Sequence, residues 1–235
     1  MKFIVASIFI LFLFSCSSNS DESAESLSDL MEQADDYVEI DKNGLEIEGQ
    51  TLSDLQHMLE KDCESLDLSI TEWSKGTDYT DTLLNTGVIF KGVIDYLATA
   101  AFDRYIDEMK ENGNYIFLTH FDLDDEGNTL YDVVIMPCED QFALIDVMGV
   151  DGLNHDIYNQ DILNQMKAWD ELVGFQVIIV DHDELDAYMD HLPDDVSAFA
   201  KEVYDFCPDV IDQGYGDMES LVEGLESKYF WLWWD

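Results

Sequence analysis

The run Tyr229-Phe230-Trp231-Leu232-Trp233-Trp234, followed by Asp235, constrains this chain more than any other stretch. These residues favour extended backbone, and successive side chains of a strand point to opposite faces. Tyr229, Trp231 and Trp233 therefore share one face, and Phe230, Leu232 and Trp234 share the other. Both faces are apolar, so the rest of the fold must cover this strand from two sides, and the expected place for it is inside a sheet. An aromatic ring buries some 150–250 Å², which at about 25 cal/mol/Å² is worth a few kcal/mol. The rival arrangement, an exposed tail that inserts into a membrane or partner, forgoes that gain.

Charge sets the second bound. The chain carries 53 acidic and 10 basic residues, a formal net charge of -43. A surface of that sign repels phosphate backbones and anionic lipid heads, which excludes nucleic acid and direct electrostatic membrane binding and leaves cationic partners and metal ions. Hydrophobic residues make up 47% and aromatics 12%, enough apolar surface to offset the ordering entropy of a folded domain. The acid then forms a solvated coat.

At the N-terminus, Lys2 precedes an uninterrupted apolar run from Phe3 to Phe14, and Ser15 precedes Cys16. This is the pattern of a signal peptide, too short for a membrane-spanning helix of roughly 20 residues. Leu13-Phe14-Ser15-Cys16 has the form of a bacterial lipobox, so Cys16 is expected to become the lipid-carrying N-terminus, with an ordinary secretory signal as the alternative. Residues 1–15 are then the signal peptide and 16–42, rich in Ser, Asp and Glu, an acidic tether. The expected location is the outer membrane or cell surface of a Gram-negative envelope, with the membrane touched only through the lipid anchor. The remaining Cys63, Cys138 and Cys207 allow at most one intramolecular disulfide, and their commonest role is that of small buried hydrophobes.

Periodicity then divides the folded part. Asn43-Gly44 marks a turn, and residues 51–62 form a short helix started by Thr51 or Ser53. Residues 64–86 are ambiguous. From Val88, the apolar positions Ile89, Val93, Tyr96, Leu97, Ala100, Ala101, Tyr105 and Met109 keep helical spacing, with Gly113 as the stop. Residues 43–112 are accordingly expected to be mainly helical. After Gly113 the period falls to two, and 114–121 and 129–137 read as an antiparallel hairpin joined by Asp122–Asn128. Residues 160–173 return to helix, 175–181 form a buried strand, and a helix with Pro193 at or near its first position ends before Pro208. Asp217 caps a last helix over 218–227. The expected fold class is α+β: a single domain with a mixed or antiparallel β-sheet packed by several helices, its C-terminal strand buried in the sheet.

Few residue patterns carry chemistry. Asp122, Asp124, Glu126 and Gly127 occupy the first, third, fifth and sixth positions of an EF-hand loop, yet Val133 stands at the twelfth, where calcium requires a bidentate glutamate. These residues are calcium candidates against the reading of a hairpin turn, and no cofactor is expected. Asp181–Glu184 is a second acidic cluster without the histidine or cysteine spacing of a transition-metal site. Cys207 is a poor nucleophile, since Asp205 and Asp209 flank it at a helix C-terminus and both effects raise a thiol pKa.

From about Gly113 onward, "GNYIFLTHFD", the stretch from Tyr131 to Trp169, "AKEVYDFCPDVIDQG" and the closing "LWWD" resemble the family catalogued as domain of unknown function 4253. The resemblance implies one α+β domain over 113–235 and brings no activity. Asn154, Asp209, Gln213 and Asp235, with Trp169 and Trp234, are the polar and aromatic residues of that pattern. They form a binding cleft or a buried network that holds turns. His155 departs from the pattern, where a tyrosine commonly follows Asn154. Three functions remain: an acidic binding or interaction lipoprotein, of immunity type, facing a cationic protein; a hydrolase or metal-dependent enzyme with a polar cleft; and a structural envelope component. The first is the expected one, without catalytic residues.

Overall fold

The computed structural model describes residues 45, 47, 49–74, 78–138 and 140–234, and the backbone alone for 67–74 and 78–86. The signal peptide, Cys16, the tether, the Asn43-Gly44 turn and Asp235 lie outside the described residues. The described elements belong to one unit, Glu39–Asp235. In chain order they are α1 (Gly49–Leu59), β1 (Cys63–Ser74), β2 (Asp78–Ile94), α2 (Asp95–Glu111), β3 (Asn114–Leu123), β4 (Thr129–Pro137), α3 (Ala143–Met148), α4 (Asn159–Val173), β5 (Phe175–Val180), β6 (Glu184–Met189), α5 (Val196–Phe206), α6 (Met218–Glu226) and β7 (Tyr229–Trp233). A 3-10 turn at Leu153–His155 and a turn of π-helix at Val210–Tyr215 complete it.

The strands make one seven-stranded sheet in the order β1-β2-β4-β3-β5-β6-β7. β3 and β5 are parallel and every other pair is antiparallel, so the α+β class holds with a mixed sheet. The parallel pair follows from the connection between them, since α3 and α4 carry the chain from β4 back to the starting end of β5.

One sheet face carries Leu185, Ala187, Phe230 and Leu232, all fully buried. Trp169 of α4 fills the space above them, meeting Phe199 and Phe206 of α5 and Phe230 of β7 edge-on at 5.5–5.6 Å between ring centroids. The opposite face meets α2 through Phe102, whose ring lies 6.2 Å from that of Tyr188. The Phe230 face of β7 is thus closed and its Trp231 face half-buried, and among the described residues β7 stands last in the sheet, beside β6. Lateral pairing and face burial are separate demands, and the aromatic pattern speaks only to the second.

Three expectations change. The helix read from Val88 begins at Asp95, and Val88–Ile94 belongs to β2. Gly92, at φ 59, sits in a bulge where the register shifts between Phe90 and Val93, so strand positions 89 and 93 fall four apart and imitate a helical period. Residues 43–112 consequently supply two long strands as well as two helices. Pro193 lies ahead of α5, whose N-cap is Asp195, accepting from Ala198 N at 2.9 Å. The hairpin, the Gly113 and Gly174 stops, the break at Pro208 and the Asp217 cap stand as read.

Phe230 is the ring on which both α4 and α5 rest, so Phe230→Ala should lower stability by about 3–5 kcal/mol, seen as a shifted urea midpoint with an unchanged slope. Half-buried Trp233, changed to Ala, should cost less. Equal losses from the two would refute this assignment of the core face.

Candidate functional site

Two polar regions flank β7. The first gathers the residues of the family pattern. The chain turns tightly at Gly152–His155, held by backbone bonds from Gly152 N to Ile157 O at 2.9 Å and from Ile157 N to Gly152 O at 3.1 Å. Gly152 is required there: a Cβ on it would stand 2.6 Å from Cδ1 of Trp234, so the indole lies directly on the turn. Opposite, Pro208 stops α5 and Asp209 opens the π turn. Asp209 is 5% exposed, and its carboxylate pairs with His155 Nε2 at 2.8 Å.

This arrangement separates the six sequence candidates. Asp209 and Trp234 meet the Gly152–His155 turn, which also carries exposed Asn154. Gln213 is exposed on the π turn. Trp169 belongs to the aromatic core at 1% exposure, and Trp234 is 2% exposed, so solvent-borne ligands reach neither ring. Asp235 lies outside the described residues. His155, the departure from the family pattern, supplies the partner that makes Asp209 tolerable in a closed position. The imidazole and carboxylate clamp two turns onto the end of β7.

Cys207 completes the clamp. Its thiol donates to Trp233 O at 3.0 Å, along the outer edge of β7, and burial pushes it up to about 12. A thiol protonated at any physiological pH is a packing group. Cys63, Cys138 and Cys207 are all free. In the Asp122–Asn128 loop, Asp124 Oδ1 accepts from Glu126 N and Asn128 N at 2.9 and 2.8 Å, while Oδ2 accepts from Asn128 Nδ2 at 2.8 Å. Those bonds, Asn128's amide foremost, hold its carboxyl below the usual range. This is turn chemistry. Among the described residues no group of three His, Cys, Asp or Glu is placed to hold a metal ion.

Of the second region the sequence showed only the Asp181–Glu184 cluster and the shared face of Tyr229, Trp231 and Trp233, with nothing to join them. β6 alternates, with Leu185, Ala187 and Met189 in the core and Glu184, Asp186 and Tyr188 on the other face. The register sets Trp233, Trp231 and Tyr229 opposite those three, so two carboxylates and four aromatics share one surface. Asp186 is 2% exposed, and Tyr229 Oη donates to its Oδ2, while Oδ1 is buried without a hydrogen-bond partner. Trp231 Nε1 donates to Glu184 Oε1 at 3.1 Å. Trp231 and Trp233 lie parallel, 6.3 Å between centroids, and Tyr215 of the π turn meets Trp231 edge-on at 5.9 Å. Gly214 permits this last contact, since a Cβ there would come within 2.4 Å of the Trp231 ring.

Burial, reinforced by the Glu184 charge, raises the Asp186 carboxyl well above the ordinary range, and burial raises Glu184 as well. A raised folded value means that the folded chain binds these protons more tightly than the unfolded chain. Their stabilising contribution is complete below the ordinary carboxylate range and is lost as pH rises through the elevated values. Asp186→Asn, which keeps the volume without the charge, should therefore raise the melting temperature relative to wild type at pH 8 and narrow the difference at pH 4. Melting curves across that range check the sign, and a wild-type advantage that grows with pH would contradict it.

Residues 132–235 match the model of the family described as Domain of unknown function (DUF4253). No curated protein and no solved structure matches the chain. The match begins within β4 and takes in the Gly152–His155 turn, the Cys207-Pro208-Asp209 break, β6 and β7, while β3, which pairs with β4, precedes it. The segment from Asp132 to Asp235 is thus similar to the DUF4253 family, and the turns that clamp the closing strand lie within that segment.

Proposed function

We propose that the protein is a non-catalytic, acidic binding module of immunity type, exported and lipid-anchored through Cys16, that recognises a cationic protein at the cell envelope. The single observation behind this reading is the excess of 53 acidic over 10 basic residues. Each lysine or arginine neutralises one carboxylate at most, so the fold leaves the formal -43 uncompensated whatever its internal pairing. Such a surface attracts basic proteins over distances longer than any contact and raises their association rate. The internal ion pairs, Lys91–Glu64 at 2.7 Å, Lys167–Asp140 at 3.2 Å and Lys201–Asp205, lie on exposed side chains and do little to reduce it.

One observation favours a second reading. The His155–Asp209 pair has the geometry of a base held by an orienting carboxylate, as an uncharacterised hydrolase would need. The two readings differ in what salt and substitution do. For the binding module, the on-rate of a cationic partner captured from envelope extract should fall steeply between low and physiological ionic strength, where the screening length is about 8 Å. Asp209→Asn and Gln213→Ala should leave that rate unchanged as long as the domain stays folded. Loss of turnover of a substrate in stably folded Asp209→Asn, with partner association insensitive to salt, would replace the first reading by the second.

The anchor has its own test. Cys16→Ala should abolish labelling by a fatty-acid probe and leave an unprocessed or soluble form. Labelling that persists in this variant would refute the lipobox.

A further inference from the structure

A buried carboxylate with one oxygen lacking a partner is costly, because a desolvated charge or acceptor without a hydrogen bond forfeits its hydration. Asp186 Oδ1 is such an oxygen. Its carboxyl has two ways out of that condition: to hold a proton, or to meet a cation. The principal charges acting on its neighbours are themselves carboxylates. Glu184 and Asp186 act on Tyr131 of β4, Asp186 acts on Tyr188, Tyr215 and Tyr229, and Asp95 and Asp103 of α2 act on Tyr188. Among the described residues the paired lysines are engaged elsewhere, with Glu64, Asp140, Asp205 and the carbonyl of Asp190. The fold therefore builds negative potential here, and among the described residues neither Glu184 nor Asp186 is ion-paired with a lysine or arginine.

The surroundings select the kind of cation. Calcium takes six to eight oxygen ligands and magnesium a strict octahedron, whereas this surface offers two carboxylates, each with one oxygen already bonded to an aromatic side chain. What it offers in quantity is aromatic surface. Tyr131, Tyr188, Trp231 and Trp233 are each half-buried, so ring area reaches solvent above a closed carboxylate. Ring faces attract ammonium and guanidinium groups, tryptophan most strongly, and a carboxylate beneath adds to that attraction. The rings are also fixed beforehand: Trp231 is held by Glu184, by the parallel Trp233 and by Tyr215, and Tyr215 is itself seated on Gly224 of α6, where a Cβ would come within 2.6 Å of it. A surface ordered before binding loses little entropy on binding.

We propose that this face of β6 and β7 is the binding site for a single basic side chain, the guanidinium or ammonium group of an arginine or lysine presented by a protein partner. The site rests on the reading of the protein as an acidic binding module and gives that reading an address: the coat gathers a basic protein, and the Glu184–Asp186–Trp231–Trp233 surface holds one of its side chains. The polar depression on α1, lined by Ser53, Gln56, His57, Glu60, Lys61 and Asp62, includes a lysine and shares none of these residues.

The test titrates the full chain with an acetylated hexa-arginine amide, a hexa-citrulline peptide of the same length, and acetyl-arginine amide, following tryptophan fluorescence at physiological salt. The arginine peptide should bind and quench, and the citrulline peptide should do neither. Trp231→Leu and Asp186→Asn should each weaken the arginine peptide about tenfold. Asp186→Asn keeps the side-chain volume, so its result stands even where Trp231→Leu fails to fold. Binding of the arginine peptide that both folded variants retain in full overturns the site while leaving the acidic-coat reading in place. No binding by wild type, even at low salt, overturns both. Acetyl-arginine amide binding as tightly as the peptide overturns the assignment to a protein partner in favour of a small cation.

Discussion

Phe230 and Trp231 are neighbours in sequence and face opposite layers of the molecule. Phe230 carries the weight of α4 and α5 through Trp169 and Phe199, while Trp231 faces the π turn through Tyr215. This follows from the period of two in a strand, which turns Phe230 into the core and leaves Trp231 half-buried on the other face. The segments around β7 answer to that division. The break of α5 at Pro208 returns the chain beside the strand, Cys207 bonds to its outer edge, and the Gly152–His155 turn receives Trp234. The turns and helix end that enclose this edge strand lie within the matched segment, and an uncovered edge is a template for unwanted pairing.

That role bears on the meaning of signature polar residues. Asp209 lies beside a helix end and a tight turn, where backbone groups run out of regular partners, and its pair with His155 bridges two segments that share no secondary structure. A carboxylate so placed contributes through the turns it holds. His155 is one partner of this closed carboxylate, and removing one member of such a pair costs more than the pair itself contributes. Asp186 is a different case. It sits in the middle of a regular strand whose backbone bonds to both neighbours are made, with one oxygen unmatched. No turn or cap explains it, whereas Asp209 is explained by the turns it joins.

Much of the fold could be read from residue spacing, because most elements here have clean boundaries. Gly113 and Gly174 adopt positive φ where they end α2 and α4, Asp217 caps α6, and the 114–137 hairpin alternates plainly. The start of α2 could not, since the bulge at Gly92 shifts the alternation of β2 into a spacing that a helix also has. β6 was missed for a physical reason: its outward face carries Glu184, Asp186 and Tyr188, so in a chain this acidic it resembles one more charged turn. Its alternation with Leu185, Ala187 and Met189 was the available signal. The aromatic-acid surface stayed hidden with it, because that surface exists only once β6 and β7 are in register. Asp209 was found as a residue, but its partner His155 was visible only as a departure from a pattern.

Stability and recognition draw on the same charge in this chain. A net charge far from zero repels itself and weakens the compact state, and the chain carries a 43-unit excess of acid with ion pairs that are mostly exposed. The aromatic layers around Phe230 hold the fold against that repulsion. On the proposed function, a basic ligand would relieve that repulsion, since each positive charge it brings offsets a carboxylate as well as making its own contacts. Binding to the folded state alone also stabilises it by mass action. On the proposed function, a dense apolar core beneath an uncompensated acidic surface would therefore suit a module that gains stability when a basic partner binds.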